Sequence, residues 1–292
     1  MLFNKLCILL SEVCYIALEM LSIITVVHNH KAMNRLFWDY LQRYTKYAFE
    51  LIVIDNASRD GSGDFFESVG ARVIRNQKNY AYPITQNQGA EIARGDYFIF
   101  MNNDVLVGPN WDEKLLHVLQ SNHLDIISPA SIDRADSRIT TLQLRRRWRW
   151  VRHLTAILGS SSWGLKWRHK LMYGNWETYC QTVLNQFGDG VIEGFAGHTL
   201  LMHRSVYNKL GPWDERILQA DFDLYLRSKQ RWELVGDIKP IAVAKGVFVH
   251  HYGRLTMRKH PNAWVPTQPI IEIEDKWGAQ TFLEKTAHLD KK

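Results

Sequence analysis

Cysteine is scarce in this chain of 292 residues. The sequence contains Cys7, Cys14 and Cys180, and it has no Cys-x-x-Cys pair. Three cysteines cannot complete an even-numbered disulfide framework, so a disulfide-stapled secreted fold is excluded and a reducing, cytoplasmic environment is the plainer inference. Paired-cysteine, His-x-Glu and His-Glu-x-x-His patterns are also absent, which argues against a structural or hydrolytic zinc site.

Two glycine-rich phosphate-binding signatures are missing as well. No Gly-x-Gly-x-x-Gly follows the first apolar run, and no Gly-x-x-x-x-Gly-Lys-Ser/Thr occurs anywhere. These absences disfavour a dinucleotide-binding fold and a P-loop protein. With 46% hydrophobic and 23% charged residues and no fixed-period repeat, the composition is that of an ordinary globular protein.

Long hydrophobic runs are absent, even at the N-terminus. Residues 1–19 are apolar, but Glu12 interrupts them and no small-x-small cleavage site follows. The stretch is therefore a poor signal peptide, and it is too short and too charged for a good membrane-spanning helix. We expect the folded unit to begin near Met20, with residues 1–19 as an extension, a short amphipathic helix or an upstream start-site artefact.

Acidic residues are absent from one segment, residues 137–176. This basic segment contains nine Arg or Lys and five of the 11 tryptophans. The whole chain carries a net charge of +6, so the rest of the molecule has a net charge of −3. The sequence thus describes a mildly acidic body with one basic, tryptophan-rich segment.

Apolar runs alternate with helical patterns along the first hundred residues. Predicted strands cover residues 22–27, 49–54, 72–75 and 96–101, with helical patterns at 36–44 and 85–94. This alternation predicts an α/β protein with a parallel, doubly wound sheet. Ligands of such sheets bind beyond the carboxyl ends of the strands, so we expect Asp55 and Asp104, which follow two of them, to meet there.

An ordered set of short motifs resembles family-2 glycosyltransferases of the rhamnosyltransferase type. The match covers roughly residues 20–255. The motifs in the first half are residues 23–29 (IITVVHN), 53–58 (VIDNAS), 87–89 (NQG), 93–97 (ARGDY) and 101–105 (MNNDV). The motifs in the second half are residues 194–197 (GFAG), 201–204 (LMHR), 211–215 (GPWDE), 220–227 (ADFDLYLR) and 249–251 (VHH). The resemblance implies a Rossmann-like GT-A fold, a nucleotide-diphosphate sugar donor, a divalent metal (Mn²⁺ or Mg²⁺), and sugar transfer with inversion.

The resemblance also divides the chain. Residues 20–108 form the donor-binding half, residues 109–255 form the acceptor and catalytic half, and residues 256–292 form a tail without a readable motif. In the donor half it implies that Asp104 binds the metal and that Asp55 binds the base of the donor. A hard cation with oxygen ligands stabilises the charge on a departing diphosphate. The alternatives are an Asx-turn or helix cap for Asp55 and a simple turn for Asp104.

Further residues are placed at the donor and metal by the same resemblance. His250 is preferred over His251 as the histidine near the metal. The predicted donor-binding residues, besides Asp55, are Val26, His28, Asn87, Asn102 and Asn103.

The resemblance implies that Asp221 is the catalytic base. Ala220 stands where the family carries a glutamate. An unperturbed Asp, with a pKa of about 3.9, is ionised at neutral pH and ready to accept a proton. Asp223 is expected to form a salt bridge or a cap within its helix. Predicted acceptor-side residues are Gly197, Trp213, Asp214, Arg145, Arg147 and Trp148.

The basic segment is predicted to contain an amphipathic helix from Leu144 to Arg152 that continues through Leu154, Ile157 and Leu158. Arg with Trp suits the surface of an anionic membrane, and it also suits nucleic acid or another anionic polymer. The plain alternative is a solvated helix whose tryptophans pack on the body. We favour the membrane surface, because family members commonly build cell-surface glycans on lipid carriers.

The resulting hypothesis is an inverting, metal-dependent glycosyltransferase that is cytoplasmic or peripheral at the inner face of the membrane. It acts on a glycan or a lipid-linked acceptor in polysaccharide synthesis. The alternatives are a transferase that glycosylates nucleic acid or another anionic polymer, and a catalytically silent carbohydrate- or nucleic-acid-binding module of the same fold.

Overall fold

The computed structural model describes residues 20–253 and 264–290. The expectation for residues 1–19 lies outside the described residues. Met20 directly precedes the first strand, and its carbonyl accepts a hydrogen bond from the backbone N–H of Asp96 at 2.8 Å.

A mixed sheet of eight strands forms the centre of the protein, in the order β3-β2-β1-β4-β8-β6-β9-β7. Only β7 and β8 run against the common direction of the other strands, so the predicted α/β class with a mostly parallel sheet is confirmed. Strands β5 and β10 form a separate two-stranded ladder. The strands are β1 Leu21–Val27, β2 Phe49–Asn56, β3 Arg72–Asn76, β4 Tyr97–Met101, β5 Val105–Leu106, β6 Ile126–Ala130, β7 Val191–Glu193, β8 Thr199–His203, β9 Ala242–Phe248 and β10 His250–His251.

Helices cover both faces of the sheet. Ile23 and Ile24 are neighbours in β1 and are fully buried in two different hydrophobic clusters, because successive side chains of a strand point to opposite faces. Within residues 20–253 and 264–290, no helix has the length and apolar character needed to cross a membrane. The helices are α1 Lys31–Tyr44, α2 Ser62–Ser68, α3 Tyr82–Ile92, α4 Trp111–Ser121, α5 Arg138–Leu154, α6 Ser162–Tyr173, α7 Trp176–Phe187, α8 Arg204–Leu210, α9 Ala220–Leu234, α10 Ile273–Trp277 and α11 Ala279–Asp290.

The helix predicted in the basic segment is present as α5 and begins earlier than expected. Ser137 caps it, because its Oγ accepts a hydrogen bond from the backbone N–H of Thr140 at 3.2 Å. The helix ends at Leu154, and Ala156–Leu158 form a 3₁₀ turn. The predicted amphipathic helix therefore does not continue through Ile157 and Leu158.

Helix α9 is tied to the C-terminal part of the chain by the buried carboxylate of Asp223. Its Oδ2 lies 2.9 Å from Nε of Arg227, and its Oδ1 lies 2.6 Å from Nζ of Lys276. Trp277 Nε1 also donates to Oδ1, at 2.9 Å. The predicted salt bridge of Asp223 is confirmed, and it extends to residues that sequence reasoning left without a role.

We expect Asp223→Asn to lower the free energy of unfolding by about 3 kcal/mol, because it removes a fully buried negative charge that pairs with two partly buried cationic side chains, Arg227 and Lys276. The matched control is Asp237→Asn, since Asp237 pairs with Arg231 at 2.7 Å while both side chains remain 30% exposed. An exposed pair contributes less than about 1 kcal/mol. Urea unfolding followed by circular dichroism measures both variants, and equal losses would contradict the buried network.

Candidate functional site

A cavity of about 790 Å³ opens at the carboxyl ends of β1, β2, β4 and β6. Residues predicted as donor-binding or catalytic and residues of the basic segment, which lie far apart in the sequence, all line this cavity. This is the location that the doubly wound pattern predicts. Its lining includes Val26, His28, Asn56, Asn79, Tyr80, Tyr82, Asn102, Asn103, Asp104, Asp133, Arg145, Trp148, Arg149, Arg152, Gly197, His198, Asp221, His251 and Trp264.

The wall at the ends of β1 and β2 is held together by amide hydrogen bonds. His28 Nδ1 donates to the backbone carbonyl of Asn56 at 2.7 Å, which leaves Nε2 available to a ligand. Asn56 Nδ2 donates to Asn79 Oδ1 at 2.9 Å and to the carbonyl of Tyr80 at 2.8 Å. Val26 and His28, both predicted at the donor, do line the cavity.

Asp55 has a different environment from the one predicted. It is 4% exposed and is absent from the cavity lining, where its neighbour Asn56 stands instead. Its Oδ1 accepts the backbone N–H of Ser58, three residues on, at 2.9 Å, so the carboxylate satisfies a local backbone donor in a cap-like contact. A Cβ atom at Gly63 would lie 2.3 Å from its Oδ2, so helix α2 packs directly against this carboxylate.

The three residues that follow β4 have distinct roles. Asn103 Nδ2 donates to Asn34 Oδ1 at 2.6 Å, which fastens the loop to helix α1. Asn102 Nδ2 lies 3.5 Å from His251 Nε2. Asp104 is 7% exposed, and its Oδ1 lies 3.1 Å from the same His251 nitrogen. All three line the cavity, with Asp104 as the carboxylate of the group.

His251 lies between two carboxylates, because its Nδ1 also contacts Oδ2 of Asp133. Burial opposes a charged imidazole, but the two neighbouring carboxylates outweigh it and raise the pKa of His251 to about 10. Burial likewise opposes a charged Asp133, and the contact with His251 nevertheless lowers the pKa of that carboxyl to about 2. In the group formed by Asp104, His251 and Asp133, the imidazole of His251 is therefore protonated and positively charged when no cation is bound.

His250, which the sequence interpretation preferred, is turned away from Asp104. Strands β10 and β5 pair with His250 opposite Leu106 and His251 opposite Val105. Since neighbouring side chains of a strand point in opposite directions, only one of the two histidines can face the cavity. His250 is fully buried instead, with Nδ1 2.9 Å from the hydroxyl of Tyr173, and burial keeps its pKa well below the usual value.

Asp221 lies in the first turn of α9 and faces the cavity. It is partly buried, and this burial raises the pKa of its carboxyl to about 6. The pKa of Asp221 therefore lies above the unperturbed value assumed from the sequence. Gly197 lies against it, since a Cβ atom there would come within 1.9 Å of Asp221 Oδ2. A glycine at that position leaves room for the carboxylate.

Three further predicted site residues, besides Asp55 and His250, lie outside the cavity. Asn87 braces the loop before α9: its Nδ2 donates to the Trp213 carbonyl at 3.0 Å, and its Oδ1 accepts the Trp213 N–H at 2.9 Å. Trp213 is 2% exposed and packs in the core. Asp214 pairs with Arg216 at 2.8 Å and with Lys276 at 2.8 Å. The contacts of Asn87, Trp213 and Asp214 thus stabilise the fold around α9, and none of the three residues lines the cavity.

Helix α5 contributes the basic wall. Arg145 donates to the backbone carbonyl of Asp133 at 2.6 Å, and Trp148 packs its ring 4.5 Å from that of His250. Both line the cavity as predicted, together with Arg149 and Arg152. Arg147 does not line it, and its charge acts on Tyr173 and Tyr179 instead.

Sequence reasoning missed several cavity residues. His198 is 3% exposed, burial lowers its pKa to about 3, and its ring lies 4.9 Å from that of His251. Trp264 comes from the tail, beside the bridge between Tyr80 and Val265. No local signal identified Asp133 or Trp264. The alternation of side chains in a strand, applied to the paired histidines, would have shown that only one of them faces the site.

Comparisons with known proteins identify the family. The profile of glycosyl transferase family 2 matches residues 22–211, which is well over half of the chain, and the protein belongs to this family. An uncharacterized glycosyltransferase of Haemophilus influenzae is 33% identical over 35% of this chain and 35% of its own. The uncharacterized glycosyltransferase EpsJ of Bacillus subtilis is 27% identical over 42% of this chain and 37% of its own. The matched region thus spans about a third of the length of these relatives.

A solved structure is also similar. The mannosyltransferase PcManGT from Pyrobaculum calidifontis, in complex with GDP-Man and Mn²⁺, matches 76% of this chain and 56% of its own chain. The TM-score is 0.47 and the sequence identity is 13%.

We expect the carboxyl of Asp221 to titrate near pH 6 in the folded protein, because burial disfavours its charged form. A carbon-detected NMR titration of aspartate carboxyls measures this, with Asp221→Asn to assign the resonance. Asp237 is the matched control, since its contact with Arg231 lowers its pKa to about 2. Titration of Asp221 near pH 4 would show that the carboxyl is solvated.

Proposed function

We propose that this protein is an inverting, metal-dependent glycosyltransferase that moves a sugar from a nucleotide-diphosphate sugar to an acceptor hydroxyl. The observation that carries the proposal is the shared cavity, which Asp104, His251 and Asp221 all line. A leaving-group site and a base in one cavity are what a direct displacement at the anomeric carbon requires. Family membership supports the same reaction class.

The residues around Asp104 fit a divalent cation. Its carboxylate and the Nε2 of His251 lie 3.1 Å apart in the same cavity. Within residues 20–253 and 264–290 no group of three or more acidic, histidine or cysteine side chains could hold a metal ion by itself. Such a pair suits Mn²⁺ or Mg²⁺, which take their remaining ligands from substrate phosphates and water. When bound, the cation would stabilise the negative charge on the diphosphate leaving group.

Asp221 is the proposed general base. Its ionised carboxylate takes the proton from the acceptor hydroxyl, whose oxygen bonds to the anomeric carbon while the bond from that carbon to the diphosphate breaks. Attack from the side opposite the leaving group inverts the configuration. A base with a pKa near the working pH combines ionisation with proton affinity, and the raised pKa of Asp221 meets this condition.

The donor and the acceptor have separate walls in this proposal. His28, Asn102 and Asn103 line the donor side, where neutral polar groups suit a base, a ribose and a sugar. Gly197 lies directly against Asp221, and it is assigned to the acceptor together with Arg145 and Trp148, which line the same cavity. The arginines favour an acceptor that carries negative charge, for example a glycan on a lipid-linked phosphate, in cell-surface polysaccharide synthesis.

We expect Asp221→Asn to reduce kcat/KM for transfer by about 10²–10⁴-fold, because the amide cannot accept the proton. In the unchanged protein, kcat/KM should fall as the pH drops through about 6, since the base must be ionised. Release of nucleoside diphosphate from a panel of nucleotide sugars with Mn²⁺ or Mg²⁺ measures both effects.

The control for this experiment is Asp223→Asn, which removes a neighbouring carboxylate that does not line the cavity. It is assayed at a temperature at which circular dichroism shows a folded protein. Full turnover by the Asp221 variant would exclude Asp221 as the base. The absence of turnover with every donor would favour a silent binding module.

We expect Asp104→Asn and His251→Gln each to weaken Mn²⁺ binding by at least 10-fold in the presence of a nucleoside diphosphate, because each removes a proposed ligand. Electron paramagnetic resonance of free Mn²⁺ measures the affinity. The matched control is His250→Gln, which changes the neighbouring buried histidine and should leave the affinity near that of the unchanged protein. An equal loss in the His250 variant would reverse the choice between the two histidines.

A further inference from the structure

Helix α5 exposes apolar side chains on the face turned away from the protein core. Ile139, Leu142, Trp150 and Leu154 are 70%, 50%, 61% and 71% exposed. Their spacings of three, eight and four residues place them along one side of a helix with 3.6 residues per turn. We call these four residues the outer stripe. Large apolar side chains in a row are unusual on a surface that contacts only water.

The opposite face of the same helix packs against the protein core. Thr141, Trp148 and Val151 are between 5% and 9% exposed. The helix therefore does not need the outer stripe in order to pack on the protein. Helix amphipathicity alone would place polar residues at those positions.

Cationic side chains border the outer stripe. A shallow groove of about 880 Å³ runs along it, lined by Leu142, Trp150 and Leu154 together with Arg145, Arg146, Arg149 and His153. No acidic residue occurs in the basic segment 137–176 that contains it. The surface therefore combines apolar area with positive charge.

We propose that the outer stripe docks on the surface of an anionic lipid bilayer. Leu and Ile side chains enter the boundary between headgroups and acyl chains, an indole remains at that boundary, and guanidinium groups contact lipid phosphates. A nucleic acid would be held by stacked aromatic rings and cations, which leaves the aliphatic members of the stripe without a function. The aliphatic side chains therefore favour the membrane.

The docking face has a direct connection to the cavity. Arg145 and Arg149 line both the groove and the cavity, so a bilayer at the outer stripe lies beside the cavity wall. If the protein has the proposed transferase function, its acceptor would be a molecule presented at the membrane surface. The docking itself does not depend on catalysis and can be tested separately.

The test is sedimentation of the full chain with phosphatidylcholine vesicles, with and without phosphatidylglycerol. We expect binding to the anionic vesicles only. The triple substitution Leu142→Ser, Trp150→Ser and Leu154→Ser should reduce the partition coefficient roughly 10-fold or more, because it removes the apolar area. Arg146→Gln should reduce binding at low salt and have little effect at about 0.5 M salt, where surface charges are screened.

The matched control is the double substitution Trp232→Ser and Leu234→Ser. These residues are 43% and 77% exposed near the end of α9, outside the basic segment, and they should not affect vesicle binding. Circular dichroism establishes that each variant is folded. Without vesicles, the triple variant should release nucleoside diphosphate from the sugar donor at the same rate as the unchanged protein. This assay tests the transferase proposal separately from the docking proposal.

Three results would overturn the docking proposal. One is no binding of the full chain to anionic vesicles. Another is an unchanged partition coefficient for the folded triple variant. The third is tighter binding to a single-stranded oligonucleotide than to vesicles, with loss of that binding in the triple variant.

Discussion

The pairing of β10 with β5 is the constraint on which the site depends. This ladder of two residues on each strand brings His251 to Asp104, although 147 positions separate them in the chain. The same pairing turns His250 into the aromatic cluster with Tyr173 and Trp148. A shift of one residue in register would exchange the two histidines, because side chains alternate along a strand. One short ladder thus determines both the polar centre of the cavity and the packing behind it.

The two carboxylates central to the proposed reaction have opposite surroundings. Asp104 lies next to a charged histidine, whereas Asp221 lies in a partly buried position beside Gly197. Burial raises the pKa of Asp221, whereas Asp104 shares its part of the cavity with the cationic side chain of His251. In the proposed reaction Asp104 would hold the cation and Asp221 would exchange the proton. The buried network around Asp223 fixes the helix that carries the second.

Helix α5 joins three environments. Trp148 packs on the core, Arg145 and Arg149 line the cavity, and the outer stripe faces away from the protein. The plain alternative, in which the tryptophans of the basic segment pack on the body, is confirmed for part of the segment, and the membrane interpretation stays a prediction. Trp148 and Trp176 pack on the body, at 5% and 6% exposure, while Trp150, Trp163 and Trp167 stay exposed. Composition alone could not separate these groups, since the difference lies in which side of each helix meets the body.

The sequence by itself determined the order of strands and helices over about the first hundred residues, the loops that carry the polar residues and the family. These features follow from local periodicity and from motifs read along the chain. Asp104, Asp221, His28 and Gly197 line the cavity as expected because strand ends and helix starts locate them. Only the tertiary structure showed that His251 and Asn56 line the cavity while His250 and Asp55 do not. It also showed that Asn87, Trp213 and Asp214 lie outside the cavity and contact the loop before α9. Those outcomes depend on strand register and on distant packing partners, such as Trp264 and Lys276, which a local pattern does not contain.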